Sequence, residues 1–206
     1  MGTFRRVSSR IVISLLISAC GQVQPQQYIG LAYLPDMSAQ PNRPSVSIET
    51  KYLYDLDDGQ GEPKEDAARL HAFRKLLEKV TRESTLFGEV MLDYDKQPTP
   101  ADFKINMEYR GSVRLKDFWS TPFGQWLGGP LAPLNMTQKC KITARITDRA
   151  QKDIASYVVE DHIEVSAGPF AAQRMYLERK TFEFVLENMI RTIYRKMLSD
   201  RVLVYP

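Results

Sequence analysis

The side chains best suited to acid–base catalysis are scarce in this chain, whose two histidines are His71 and His162. His162 and Glu164 stand two residues apart in a predicted strand, which places both on one face and supplies two ligands of a metal site. Zinc usually requires paired cysteines or a third ligand, and the pattern has neither. The serines also lack the glycine pattern of a nucleophile elbow. We therefore predict no catalytic residue, no metal and no cofactor, and we expect that the protein is not an enzyme.

The residue with the clearest chemistry is Cys20. Three arginines within the first ten residues precede an apolar run at residues 11–19. A basic start, a short apolar run and a small final residue are typical of a secretory signal, and a run of this length is too short to span a bilayer. Its end, Ile17-Ser18-Ala19-Cys20, resembles the lipobox of bacterial lipoproteins. The resemblance implies cleavage before Cys20, acylation of the cysteine and a membrane anchor.

The residue after the cysteine bears on the destination of the protein. In bacterial lipoproteins a residue other than aspartate at this position permits sorting to the outer membrane of a Gram-negative cell, and here it is Gly21. The resemblance therefore implies an outer-membrane lipoprotein that faces the periplasm. On this interpretation residues 1–19 are the signal peptide, and no later stretch is apolar for long enough to span a membrane.

Removal of the signal changes the charge balance of the chain. The whole sequence has 28 basic and 25 acidic side chains, and residues 1–19 hold three arginines and no acid. The remaining 187 residues therefore carry 25 side chains of each sign. A nucleic-acid-binding domain is expected to keep a basic excess after processing, so we expect no nucleic-acid partner. This length suffices for one domain with a buried core.

The second cysteine, Cys140, is left without a disulfide partner once Cys20 is acylated, although disulfides persist outside the cytoplasm. It alternates with Ile142, Ala144 and Ile146 on the apolar side of a predicted strand. A cysteine in such a position usually behaves as a small buried hydrophobe. We therefore predict a buried, unreactive thiol. The alternative is a reactive thiol or an intermolecular disulfide.

Alternation of apolar and polar residues predicts the strands of the domain. It is clearest at residues 103–109, and it recurs at 46–54, 140–146 and 155–165. The last two runs predict a hairpin with a loop longer than the tightest turns. Gly111 is typical of a bulge.

Two segments have helical spacing, one after Pro63 with an apolar stripe from Leu70 to Val80, and one over residues 173–199. Strands with one polar side are typical of antiparallel sheets with one solvated face. The sequence therefore predicts an α+β two-layer sandwich, in which a mostly antiparallel sheet carries amphipathic helices on one face. We assign residues 46–206 to this single domain.

Residues 20–45 connect the predicted lipid anchor to the domain. They are rich in glutamine and proline, which is typical of a tether, and a flexible coil of this length has a root-mean-square reach of about 28 Å. The stretch from Tyr28 to Leu34 is apolar enough to dock on the domain instead. The composition leaves both possibilities open.

Residues 118–136 form a long connection that contains both tryptophans and is interrupted by glycines and prolines. A long connection without regular periodicity is uncommon in a compact domain and is often functional. Aromatic side chains are also typical of binding hot spots. We therefore predict partner binding by Trp119, Phe123, Trp126 and Leu127. The alternative is that this segment folds back and caps one end of the sandwich.

The order of elements carries a second resemblance, which covers roughly residues 45–200. It is similar to the periplasmic domain shared by the curli-secretion lipoprotein and the lipoprotein activators of penicillin-binding proteins. The resemblance implies an envelope lipoprotein fold and carries over no functional residue, and the chain lacks an evident pair of long membrane-inserting hairpins. The segments that carry it are Leu86-Phe87-Gly88-Glu89-Val90, Ala101-Asp102-Phe103 and Ile146-Thr147-Asp148.

Three hypotheses for function follow from these observations. The first, which the scarcity of acid–base residues favours, is a non-enzymatic lipoprotein that binds a protein partner in an envelope assembly or secretion system. The second is a lipoprotein enzyme that acts on envelope polymers. The third is a carrier that holds lipid or another apolar ligand between helices and sheet, and a deep apolar cavity would favour it.

Overall fold

The computed structural model describes residues 22–25, 31–55, 64–92, 100–115, 134–167 and 172–203. Cys20 and the predicted partner-binding residues Trp119, Phe123, Trp126 and Leu127 lie outside these ranges. The described residues form, in chain order, β1 (Gln22–Pro25), β2 (Ser45–Asp55), β3 (Lys64–Glu65), α1 (Ala67–Glu83), β4 (Glu89–Leu92), β5 (Phe103–Leu115), β6 (Leu134–Asp148), β7 (Asp153–Ala167) and α2 (Ala172–Ser199).

The described strands form one sheet in the order β1-β7-β6-β5-β2-β3, with β4 also paired to β2. Strand β2 runs parallel to β4 and β5, and the other pairs are antiparallel. The parallel pairing of β2 with β4 follows from the chain path, because α1 forms the crossover that a parallel connection requires. The predicted α+β class with a mostly antiparallel sheet is confirmed.

The two faces of the sheet differ as the alternation predicts. One face is solvated, and the other packs against both helices, as expected for a two-layer sandwich. The predicted hairpin of β6 and β7 is present, with residues 149–152 as its loop. The fully buried sheet residues of the core are Val46, Ile48, Ile105, Tyr109, Ile142, Ala144 and Ile146.

The two ends of the sheet are formed by different segments of the chain. At one end Gln22 pairs with Ser166, which pairs in turn with Asn135, and we call this the Gln22 end. At the other, which we call the Asp148 end, the β6–β7 loop is held by hydrogen bonds from Ala150 N–H and Lys152 N–H to the Asp148 side chain, both at 2.9 Å. Helix α2 follows β7, which finishes at the Gln22 end. Helix α1 begins after β3, which pairs with Leu53 and Tyr54 near the middle of the sheet, and it ends before β4, which pairs with the start of β2 at the Asp148 end. Both helices therefore run toward the Asp148 end.

Helix α1 begins later than Pro63 predicts. Its N-cap is Asp66, whose carboxylate accepts a hydrogen bond from Arg69 N–H at 3.0 Å. An acidic N-cap satisfies an N–H that has no partner within the helix, which explains the start at Ala67. Residues Lys64–Glu65 pair with β2 instead. The predicted apolar stripe is confirmed, since its buried members are Phe73, Leu77 and Val80.

Helix α2 spans Ala172–Ser199 and confirms the prediction of a long closing helix. Its buried stripe packs on the sheet, and Tyr194 within it is fully buried. Among the described residues, neither helix contains a stretch of sufficient length and hydrophobicity to cross a bilayer. The stripe consists of Val185, Leu186, Met189, Ile190, Ile193, Tyr194 and Met197.

The bulge predicted at Gly111 is wrong. Strand β5 keeps a continuous register with β6 through this position, and the irregularity lies between Ile146 and Thr147. The glycine is required for another reason, because a Cβ at this position would lie 2.8 Å from Cε1 of Tyr109. The Tyr109 ring therefore covers Gly111 closely, which no larger residue allows without displacing the ring.

The described parts of residues 22–44 lie against the domain. Strand β1 extends the sheet beside β7. Further along, Ala32 N–H donates to Asn188 Oδ1 at 2.6 Å and Met37 N–H donates to Thr85 Oγ1 at 2.8 Å. Leu34 and Met37 also pack against the core. In these described stretches the chain docks on the domain, which is the second of the two possibilities left open by the composition.

Candidate functional site

A cleft of about 810 Å³ lies between α1 and α2, where residues from Arg69 to Lys79 of α1 face residues from Phe182 to Leu186 in the middle of α2. Beyond it the two helices are joined where Thr81 and Tyr194 share a buried hydrogen bond of 2.6 Å. Side chains of both helices line the cleft, and residues of β2 and β6 form its floor. The lining residues are Tyr52, Tyr54, Arg69, His71, Ala72, Phe73, Lys75, Leu76, Lys79, Gln138, Phe182, Glu183 and Leu186.

Aromatic rings support the floor of the cleft. Tyr109, which is fully buried, stacks on Tyr52 with ring centroids 4.5 Å apart. Phe73 and Phe182 contact the same ring at centroid distances of 5.8 and 6.0 Å, the second edge-on. Aromatic pairs at such distances contribute about 0.5–1.5 kcal/mol each beyond their burial. The floor is therefore a packed aromatic cluster, of which Tyr52, Phe73 and Phe182 reach the cleft.

One side of the cleft is marked by Arg69, the first α1 residue that lines it. Its guanidinium carbon lies 3.9 Å above the centroid of the Tyr54 ring, which is a cation–π arrangement. The same side chain forms an ion pair of 3.3 Å with Asp66, one turn earlier on the helix. Two contacts thus hold a cationic group at the rim, beside a half-buried aromatic ring.

The rest of the rim is predominantly basic. Lys75 and Lys79 are exposed on α1, one turn apart, and His71 precedes them. Within the described part of the chain, neither lysine has an ion-pair partner, whereas Glu183 on α2 does have an interaction partner. The cleft therefore combines an aromatic floor with a cationic rim.

Polar groups continue beneath the floor. Gln138 Nε2 donates to Tyr109 Oη at 3.5 Å, and Tyr109 Oη donates to Cys140 Sγ at the same distance. Cys140 is 2 % exposed, which confirms the predicted burial. Burial raises the pKa of its thiol to about 12. Because the thiolate is the nucleophilic form, both the burial and the raised pKa disfavour reaction of this cysteine in the folded protein.

Asp161 is an acid on the core side of β7, directly opposite Cys140. It is 4 % exposed, and its Oδ1 accepts a hydrogen bond from His162 N–H at 2.7 Å. Its Oδ2 is buried and has no hydrogen-bond partner in the described structure. Burial raises the pKa of this carboxyl, because an unpaired charge is unfavourable in such a place. The alternation of the strand does not predict an acid on this side.

The solvated face of the sheet has the mixed charges that the sequence predicts. Lys141 pairs with Glu160 at 2.7 Å, and Arg145 pairs with Asp153. Exposed pairs of this kind contribute about 0–1 kcal/mol each. A cavity of about 620 Å³ lies on this face and is lined by side chains of both signs of charge together with the buried Leu53 and Asp55. His162 is among its lining residues, and no cluster of three or more metal-binding side chains occurs among the described residues.

Of the predicted site residues, the structure describes neither the lipidated cysteine Cys20 nor the aromatic group of Trp119, Phe123, Trp126 and Leu127. Lipidation and partner binding by these residues stay predictions. The cleft was not predicted, although its parts were, since Tyr52 belongs to a predicted strand and Phe182 to a predicted stripe. One signal in the sequence pointed to the cleft. The apolar stripe of α1 includes Leu70 and Leu76, which are only half-buried, so the stripe is wider than the part of the helix that packs in the core.

No protein-family model matches the chain, and no curated protein matches it. Among solved structures, it is similar to a minor lipoprotein from Acinetobacter baumannii, with 13% identity and a TM-score of 0.45 over 76% of this chain and 94% of that one. A homologue of the neuraminyllactose-binding hemagglutinin from Helicobacter pylori has 12% identity and a TM-score of 0.45, over 87% and 93% of the two chains.

The rare lipoprotein B from Shewanella oneidensis is similar at 12% identity and a TM-score of 0.43, over 77% of this chain and 96% of that one. Two of these three proteins are lipoproteins by name. At such identities and TM-scores, neither a function nor a partner transfers to this chain. The resemblance to curli-secretion and penicillin-binding-protein-activator lipoproteins stays a prediction.

Proposed function

We propose that the protein is an outer-membrane lipoprotein, anchored through Cys20 on the periplasmic side, that binds a protein partner of an envelope assembly or secretion system and does not act as an enzyme. The signal-like segment and the lipobox-like Ile17-Ser18-Ala19-Cys20 support the anchor. The cleft between α1 and α2 supports binding, and it is the observation on which the proposed binding role depends.

The composition of the cleft supports a partner of a particular chemistry. Its aromatic floor favours apolar side chains, and Arg69, Lys75 and Lys79 favour acidic ones at the rim. Electrostatic complementarity of this kind selects and orients partners. The partner is therefore a segment with an apolar face and acidic flanks, which lies along the groove between the helices as an amphipathic helix does in other groove-binding proteins.

The burial of the Cys140 thiol supports a binding role without nucleophilic catalysis by this residue. Cys140 lies beneath the cleft floor, where nucleophilic attack would require a thiolate. Burial raises its pKa to about 12, so the neutral form predominates at neutral pH. Its contact with Tyr109 links it to the packing of the floor.

A second candidate function is a carrier of an amphiphilic small molecule. The volume of about 810 Å³ favours it, because small-molecule sites commonly enclose about 300–1,000 Å³ with mostly apolar walls. The same basic rim would then contact an anionic head group. A carrier would bind its ligand in the absence of any protein partner, whereas the first candidate requires one. An experiment that identifies what occupies the cleft therefore distinguishes the two.

Photo-crosslinking from the cleft tests the proposed function. A photoreactive amino acid at Ala72, an exposed cleft residue, is compared with the same group at Ala68, which is exposed one turn earlier on α1 and does not line the cleft. We expect one envelope protein, identified by mass spectrometry, to crosslink at position 72 and not at 68. Equal crosslinking at both positions would contradict binding in the cleft, and crosslinking to lipid alone would favour the carrier.

A matched pair of charge reversals tests the rim. The variant Lys75→Glu/Lys79→Glu is compared with Lys51→Glu/Lys152→Glu, which changes the net charge equally at exposed lysines away from the cleft. We expect the first variant to lose most of the crosslink from position 72 and the second to keep it. A similar loss in both would indicate a general effect of charge and not recognition at the rim.

A further inference from the structure

The position of β1 restricts where a lipid on Cys20 lies. Gln22 pairs with Ser166 and Pro25 pairs with Ile163, so β1 is the edge strand at the Gln22 end of the sheet. Only Gly21 stands between Cys20 and Gln22. Two residues of extended chain span at most about 7 Å. A lipidated Cys20 is therefore held within about 7 Å of this sheet end, far closer than a free tether of residues 20–45 would place it.

We infer that the Gln22 end of the sheet is held against the bilayer, so that the cleft opens close to the membrane surface. The inference rests on the proposed lipidation of Cys20. Acyl chains insert into the bilayer beside their attachment point, and the short link leaves the domain little freedom to rotate away.

The cleft is close to the same end. Gln138, a residue of the cleft floor, pairs with Ile163, which pairs with Pro25 of β1. This row of residues is three positions from Gln22, or about 10 Å along the strands. Tyr54 and Tyr52, the floor residues of β2, lie on the rows of Cys140 and Ile142. Those rows are five and seven positions from the row of Gln22, or about 17 and 24 Å along the strands. The Asp148 end is much farther away, because the thirteen residues from Asn135 to Asp148 span about 43 Å. The protein thus stands on the membrane with its cleft near the base and the β6–β7 loop at the top.

This orientation restricts the partner. The floor of the cleft lies about 10–24 Å along the strands from the Gln22 end, so a segment that reaches it lies near the bilayer, and we expect it to belong to a protein in or on the same membrane. The basic rim of Arg69, Lys75 and Lys79 then faces the membrane-proximal part of that protein.

Energy transfer to the bilayer tests the orientation on the full lipidated protein. A donor dye is attached at Thr137→Cys, near the Gln22 end, or at Ala150→Cys, in the exposed β6–β7 loop, with acceptor dye on the lipid head groups of phosphatidylethanolamine–phosphatidylglycerol vesicles. Eleven strand residues from Thr137 to Asp148 separate the two positions by about 37 Å, so we expect transfer at least about twofold more efficient from position 137. The wild type, whose Cys140 is buried, controls for background labelling.

Insertion of ten Gly/Ser residues between Gly21 and Gln22 tests the role of the short link. We expect the difference between positions 137 and 150 to shrink. Equal transfer from the two positions without the insertion, or an unchanged difference with it, would overturn the inference. Acylation is verified by mass before labelling. A wild type without lipid would therefore contradict the proposed function, whereas a lipidated protein with equal transfer would contradict the orientation alone.

Discussion

The layer of two helices is closed toward the Asp148 end and open toward the Gln22 end. On the closed side, Leu77 and Tyr194 are fully buried, and Phe87 contacts Tyr194 edge-on at 5.7 Å. On the open side, Ala72 is exposed and Leu76 is half-buried, although both belong to the same helix as Leu77. The same two helices therefore supply core packing on one side and an accessible surface on the other.

On the closed side, a buried hydrogen bond joins the two helices. The Thr81 hydroxyl donates to the Leu77 carbonyl at 2.7 Å, so its single hydrogen is used and Tyr194 must donate in the hydrogen bond between the two side chains. This pair joins the helices within the core. At the cleft, Lys79 and Glu183 line the gap instead. Apolar surface left open in this way contributes little to folding and is available for binding.

The largest expected difference between the closed and open sides is in the stability lost when each of two adjacent leucines is replaced by alanine. Leu77→Ala removes a fully buried side chain from the closed side and should lower the free energy of unfolding by about 2–5 kcal/mol. Leu76→Ala, at the half-buried cleft position, should lower it by less than about 2 kcal/mol, since less apolar area is lost. Urea denaturation of both variants measures the difference. Equal losses would show that the open side is packed like the closed one.

The next effect concerns Trp126, which lies outside the described residues in the connection between Leu115 and Leu134. If it is a partner anchor, Trp126→Ala should weaken binding by about 2 kcal/mol and leave the melting temperature nearly unchanged. If it caps the sandwich, stability should fall by about 3–5 kcal/mol instead. Thermal unfolding distinguishes the two before a partner is known, and a large drop would make the anchor hypothesis wrong.

The smallest effect tests whether the floor beneath the open side is as tightly packed as the closed side. Burial raises the pKa of Cys140 from 9.0 to about 12. Since the folded-state pKa is the higher one, the stabilisation is complete below pH 9 and is lost as the pH rises toward 12. Between pH 8 and pH 10 the wild type should lose about 1 kcal/mol more than Cys140→Ala does.

A thiol reagent provides the control for that measurement. Cys140 should react only after unfolding, because it lies beneath Tyr109 with 2 % of its surface exposed. Rapid modification of the native protein would contradict a packed floor. It would also restore the alternative of a reactive or intermolecular thiol.

Most of the fold was predictable because each strand and helix carries its own periodicity. The alternation at residues 103–109 and the stripe of α2 depend on local burial, and both predictions are confirmed. The Gly111 prediction failed because the Tyr109 ring, and not a bulge, requires the glycine. The docking of β1 on β7 has no local signal, since it depends on which sheet edge is free.

The cleft was not predictable for a related reason. Each lining residue has an ordinary local role, as Tyr52 does in a strand and Leu76 in a helix. The gap arises from the way two helices far apart in sequence pack on the sheet, which periodicity does not report. The anchor is the opposite case, because the lipobox-like motif at Cys20 is wholly local and the sequence alone predicts it.

The mass of the N-terminal peptide tests the central proposal most directly. The protein is purified from its own membranes and the peptide that begins at Cys20 is measured, with Cys20→Ser as the control. We predict that residues 1–19 are absent, that Cys20 carries acyl chains, and that Cys20→Ser is no longer held by acyl chains at the membrane, because stable anchoring requires more than one chain. A wild-type peptide without added lipid at Cys20 would contradict the proposed function.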